Sequence, residues 1–84
     1  MKIKKNIAVS ESGFVFNPTT GDSFSLNAIG LEILQMLGSG KSQEEISGHF
    51  TAKYDVETSV FERYFLDFIS MLKQYQIVEG YEER

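Results

Sequence analysis

The 84-residue chain has no cysteine and no tryptophan, one proline and one histidine. Without cysteine there is no disulfide framework, no thiolate nucleophile and no Cys-based zinc site. The lone histidine, His49, cannot supply a multi-histidine metal site. Long apolar runs are also lacking: none approaches the roughly 20 residues that span a bilayer, and no apolar signal segment follows the N-terminal MKIKK. Positive charge is in deficit. A formal net charge of −4 opposes a nucleic-acid role, because neutralisation of phosphates by Lys and Arg dominates that affinity. The expectation is a single soluble, cytoplasmic domain over residues 1–84, with an ordered core over about 6–78. The basic MKIKK and acidic EGYEER ends read as solvated.

What the chain does have is a change of period. NIAVS reads as a short strand, and ESG follows as a turn in which Gly13 can take positive φ. GFVFN is a second strand and NPTTGD a connecting turn: Pro18 presets its φ, Gly21 permits a left-handed residue, and Asn17 and Asp22 can bond back to the backbone. DSFSL is a third strand, with Phe24 and Leu26 on one face and Ser23 and Ser25 on the other. These three strands form an antiparallel meander.

Three helices are predicted after it. Asn27 is a suitable N-cap for AIGLEILQML, in which Ile29, Ile33, Leu34 and Leu37 recur at helical spacing before Gly38 ends the helix. Ser42 and Glu45 form a capping box for QEEISGHFTAKY. A third helix runs from near Val56 to near Gln76 with Asp55 as its cap, and Ile77-Val78 follow as a short extended tail. The fold class is α+β, in the order β-β-β-α-α-α. LGSGKS resembles the end of a phosphate-binding loop, but Gln35 stands where that motif needs glycine and a helix stands where it needs a strand. Helix stop plus capping box accounts for every residue of it. His49 reads as structural, and Ser10, Ser12, Thr19 and Thr20 have no base nearby in sequence to activate them. No catalytic residue and no cofactor is expected.

The third helix is apolar over too wide an arc. Val60, Phe61, Tyr64, Phe65, Phe68, Ile69, Met71, Leu72 and Tyr75 span on the order of 180° of the wheel, whereas packing on one core needs a stripe of ~100°. Tyr64, Phe68 and Tyr75 fall near the middle of the arc. Val60 and Met71 lie toward one margin, Phe65 and Ile69 toward the other. One margin is expected to line a second apolar surface, either a groove or a dimer contact. The third strand adds a matching feature, because DSFSL carries no Lys, Pro or bulge signal to blunt it as an edge. An unguarded edge beside spare apolar helix surface suits capture of an extended peptide by strand addition.

LNAIGLEIL, LGSGKSQEEI and FLDFISMLKQYQIV, in that order, resemble the PqqD-like family of RiPP recognition elements from about Gly13 to Val78. The shared pattern is a Leu-Asn pair opening a helix, a Gly before a Ser/Thr-capped second helix, and a long third helix ending in an apolar pair. The resemblance implies a winged-helix-like domain, non-catalytic, that binds the leader of a ribosomally made precursor peptide. Such a domain presents the leader to a modifying enzyme, often a radical-SAM protein. Carried onto this sequence, it implies a peptide lying on Asp22, Ser23, Phe24, Ser25 and Leu26. The other wall comes from the third helix through Val60, Tyr64, Phe65, Asp67, Phe68 and Met71. Tyr64 stands where many members carry an acidic residue, and Gln76 where many carry Gly. Two alternatives share these features. A winged-helix DNA binder needs basic and amide side chains on one exposed helix face, whereas here Arg63, Lys73, Gln74 and Gln76 are offset by Glu62 and Asp67. A dimerisation module would use the same apolar margin to form a homodimer.

Overall fold

Alternation in FVFN decides which side of the sheet faces the core. Val15 and Asn17 are buried, whereas Phe14 and Phe16 are exposed, as a two-residue period requires of a sheet covered on one face. Residues 2–79 are described by a computed structural model. Its elements are β1 (Lys2–Ile3), β2 (Ala8–Val9), β3 (Phe14–Asn17), β4 (Asp22–Ser25), α1 (Ala28–Gly38), α2 (Gln43–Tyr54), α3 (Thr58–Gln74) and β5 (Val78–Glu79). Antiparallel β2-β3-β4 form a meander with β3 in the centre, and β1 pairs antiparallel with β5 in a separate ribbon. A three-stranded sheet followed by three helices is the expected α+β architecture. No helix among the described residues is long and apolar enough to cross a membrane.

The core joins one sheet face to all three helices. Val15 from the sheet meets Ile33, Leu34 and Leu37 of α1, Ile46 and Phe50 of α2, and Phe61, Phe65, Phe68, Ile69 and Leu72 of α3. Asn27 caps α1 by accepting from the Gly30 amide at 2.8 Å, and the Ser42/Glu45 capping box closes in both directions. Helix α1 stops in a Schellman motif: the Gly40 amide donates to Leu37 and the Lys41 amide to Met36, with Gly40 at φ +85°. The positive-φ residue that turns the chain is therefore Gly40, two residues beyond Gly38. The loop LGSGKS is the stop and cap that its sequence suggested.

Three boundaries differ from expectation. Asp55 does not cap α3; it sits in the left-handed region at φ 54° and ends α2, a conformation that Asp tolerates better than most residues. Helix α3 starts later, at Thr58, with Glu57 in the N-cap position and no side-chain cap. The N-terminal lysine segment is not simply a solvated end. Lys2 and Ile3 pair with Glu79 and Val78, and Ile3 reaches α1 at Gly38, where a Cβ would lie only 3.1 Å from its Cδ1. The EGYEER end falls, after Glu79, outside the described residues.

Asn17 ties the meander to the end of α3. Its Oδ1 accepts from the Thr19 amide at 3.0 Å, and its Nδ2 donates to the carbonyls of Tyr75 at 3.0 Å and Gln76 at 3.3 Å. The side chain is 1% exposed, so removal strands buried polar atoms on both elements. Asn17→Ala is expected to destabilise by about 1–3 kcal/mol. Asn17→Asp, which turns a carboxylate toward two carbonyl oxygens, is expected to cost more at neutral pH. Urea midpoints of the two variants check that order.

Gln76 takes φ 59° as α3 ends in a second Schellman motif, with its own amide donating to Lys73 and the Ile77 amide to Leu72. A Cβ in this region is unfavourable by about 1 kcal/mol, and glycine's extra freedom in the unfolded chain offsets part of any relief. Gln76→Gly is therefore expected to stabilise by about 0.5–1 kcal/mol, raising Tm by a few degrees in calorimetry.

Candidate functional site

The β3–β4 register sets Phe14 opposite Ser25, Val15 opposite Phe24, Phe16 opposite Ser23 and Asn17 opposite Asp22. The Leu26 amide donates to the Gly13 carbonyl at 2.8 Å, so bonded pairs alternate from there and Phe24 bonds inward to Val15. The Ser10 amide donates to Phe14 at 2.9 Å, which turns Phe14 toward β2 and agrees with that phase. Ser23 and Ser25 thus turn their N–H and C=O groups outward. Strand β4 is an edge, with Asp22 at its start as the one charged residue on it. Gly13 holds the far end of the strand: at φ +96°, a Cβ there would lie 2.6 Å from the Leu26 carbonyl oxygen.

Side chains of β4 and of Leu26 just after it meet α3 in antiparallel order, Phe24 near Tyr75 and Leu26 near Phe68. At one end the rings of Phe24 and Tyr75 lie 5.1 Å apart. In the middle, Gly30 of α1 lets Phe68 and Leu26 approach. A Cβ on Gly30 would lie 3.2 Å from the Phe68 ring and 3.5 Å from Leu26 Cβ. Beyond Leu26 an apolar pocket of about 360 Å³ is lined by Asn27, Ile29, Phe50, Tyr54, Val56, Val60, Phe61 and Tyr64. Stacking orders its walls: Phe50 on Tyr54 and Phe61, and Tyr64 on Phe68.

Burial redraws the apolar arc of α3. Its centre is Phe61, Phe65, Phe68, Ile69 and Leu72, all buried. Tyr64 is 40% and Tyr75 37% exposed, so neither lies at the middle where the wheel had put them. Phe65, at 2% exposure, is core and offers a peptide no surface. Val60, Tyr64 and Met71 form the open margin, with Asp67 beside them one turn from each of Tyr64 and Met71. Phe68, in the core, also stacks on the exposed Tyr64. Of the expected residues, Val60 and Tyr64 line the pocket, Leu26 and Phe68 meet at Gly30 and Phe24 packs on Tyr75. Ser23 and Ser25 lie on the β4 edge with their side chains on the outer sheet face, and Asp67 and Met71 lie along the open margin of α3. Asp22 is exposed at the start of β4 and Phe65 is buried in the core. Ile29, Tyr54 and Val56 line the pocket and Tyr75 packs on Phe24 without having been expected there.

Behind the pocket, α1 and α2 are tied by Glu32, whose carboxylate meets His49 Nε2 at 2.7 Å and Lys53 Nζ at 3.2 Å. The hydrogen bond with His49, reinforced by Lys53, holds the Glu32 carboxyl below its ordinary value, and the bond to Glu32 raises Lys53. His49 thus joins α2 to α1 through Glu32.

The model of the family described as coenzyme PQQ synthesis protein D (PqqD) matches residues 13–78. The chain belongs to the PqqD family. Two solved structures resemble this PqqD-family domain. A complex of TbiB1 with the TbiA(beta) leader peptide aligns with a TM-score of 0.87 at 32% identity, covering 99% of this chain and 100% of that one. A lasso peptide synthetase B1 complexed with the leader peptide aligns with a TM-score of 0.81 at 24% identity, covering 90% and 93%; at that identity the likeness is one of fold. A comparison with curated protein sequences finds no match.

Proposed function

We propose that this PqqD-family domain captures the leader of a ribosomally synthesised precursor peptide as an added strand on β4 and presents it to a modifying enzyme. The observation that carries the reading is the open β4 edge. Its outward Ser23 and Ser25 backbone groups belong to a strand whose Phe24 meets α3 at Tyr75, and α3 leaves Val60 and Tyr64 exposed along an apolar pocket. Main-chain bonds to the serines supply affinity, and alternate leader side chains enter the groove on the α3 side and supply selectivity. The family, and the leader peptides held by both similar structures, support it. The role is one of binding without catalysis, in the cytoplasm where precursor peptides are made. A radical-SAM protein is one class of enzyme to which the peptide would pass.

The test is amide hydrogen exchange with and without bound peptide, using the TbiA(beta) leader and peptides selected from a displayed random library. Ser23 and Ser25 are expected to gain the most protection, because Phe24 and Leu26 amides are already bonded inward. Protection confined to β2 would move the site to the other edge. Affinity is expected to change only modestly between low and physiological salt. A DNA-binding role would instead lose roughly a thousandfold or more over that range if six or more phosphates were neutralised.

A further inference from the structure

Phe14 and Phe16 are 47% and 38% exposed on the sheet face turned away from the core, and nothing in the capture of a leader by the groove uses them. On the edge side their direct neighbours are Ser25 and Ser23, and on the other side Phe16 has Ala8. None of these is large enough to cover a phenyl ring. The two rows, Ser25–Phe14 and Ser23–Phe16, end at the open β4 edge. A strand added there places one residue at the end of each row, on the outer face, while its intervening residues point into the groove.

We propose that this outer face is a second reading surface for the same peptide. Bound side chains that point away from the groove lean over Ser23 and Ser25 and cover Phe16 and Phe14. The recognised segment therefore carries apolar residues at successive positions, not only at alternate ones. The inference rests on strand capture by β4. Each outer-face residue of the peptide lies two strand spacings, roughly 10 Å, from its phenylalanine. With only a serine between, side chains of Phe, Leu or Met length close that gap from both sides. Serine at both edge positions is what leaves the rings within reach, since a larger residue at 23 or 25 would cover them itself. A second copy of the chain fits this patch poorly. Two half-exposed rings offer on the order of 200 Å², well short of the ~800 Å² per partner of a stable interface.

The experiment selects binders from a displayed library of random peptides against the intact domain and against Phe14→Thr/Phe16→Thr, which keeps strand-favouring residues at both positions. The wild type is expected to enrich segments apolar at both parities. The double variant should enrich the groove parity alone and bind the wild-type-selected peptides roughly tenfold more weakly. Should the double variant unfold by circular dichroism, each single variant is expected to lose selection in its own row only. Enrichment of strictly alternating peptides by the wild type overturns the proposal, as does undiminished affinity in the variants or a wild-type dimer in sedimentation that the variants lose. Ser25→Pro separates this from the capture reading. If selected peptides bind Ser25→Pro as tightly as wild type, strand addition itself fails; if Ser25→Pro abolishes binding while the phenylalanine variants keep it, only the outer face does.

Discussion

Ser23→Pro and Ser25→Pro are each expected to lower leader affinity by roughly 10- to 100-fold or more while leaving the fold in place. Both positions turn their N–H away from β3, so proline removes no bond of the native ladder, and proline is tolerated at such edge sites. The residues before them, Asp22 and Phe24, are already extended, as the residue preceding proline prefers to be. Loss of stability should stay within about 1 kcal/mol. The incoming peptide loses a donor for one of its carbonyls and meets a pyrrolidine ring where it must pair closely. An unmet carbonyl alone costs about 1–3 kcal/mol, which sets the lower bound on the affinity change. Phe24→Pro is the internal control: it breaks the bond to Val15 and displaces a ring packed on Tyr75, so it should damage the fold. Titration calorimetry beside urea unfolding separates the two effects. Wild-type affinity in both serine variants would mean that the peptide does not add to β4.

The features written in local chemistry were legible in the sequence. Asn27 accepts from the Gly30 amide, Ser42 and Glu45 bond each other's backbone, and alternation in DSFS places Phe24 inward. All of these depend on residues a few positions apart. Asp55 was misread because one residue type serves both as N-cap and as a left-handed C-terminal residue. Its left-handed backbone, φ 54°, settles which helix it serves, and local sequence does not dictate that conformation. The β1–β5 ribbon was not legible, because two-residue strands have no period and their partners, Lys2 with Glu79 and Ile3 with Val78, stand at opposite ends of the described residues. The pocket was hidden for the same reason: Ile29, Tyr54 and Val60 converge from three helices. On α3 the arc width correctly signalled a second surface, but its midpoint did not mark the core. Apolar residues on the groove side had widened the arc asymmetrically, which drew Tyr64 and Tyr75 toward its centre.

That asymmetry predicts a split in an alanine scan of α3. Phe65→Ala empties a site 2% exposed that packs against Phe61, and a buried Phe→Ala change costs about 3–5 kcal/mol. For a domain of this size that is a large share of total stability, so the variant should melt far below wild type. Ile69→Ala, equally buried at 2%, should lose about 2–5 kcal/mol. Val60→Ala and Tyr64→Ala, at positions 55% and 40% exposed, should each lose no more than about 1 kcal/mol of stability. The half-buried Met71 should fall between these and the core. Peptide affinity should run the opposite way among the folded variants. In the proposed mode of capture Val60, Tyr64 and Met71 are the wall that leader side chains would meet, and truncating an anchor at a desolvated contact costs about 1–2 kcal/mol or more, a factor of roughly 5–30. Thermal unfolding and peptide titration on the same set of variants make the comparison. If affinity is indifferent to all three margin residues, the wide arc has some other use, and the groove does not hold the peptide.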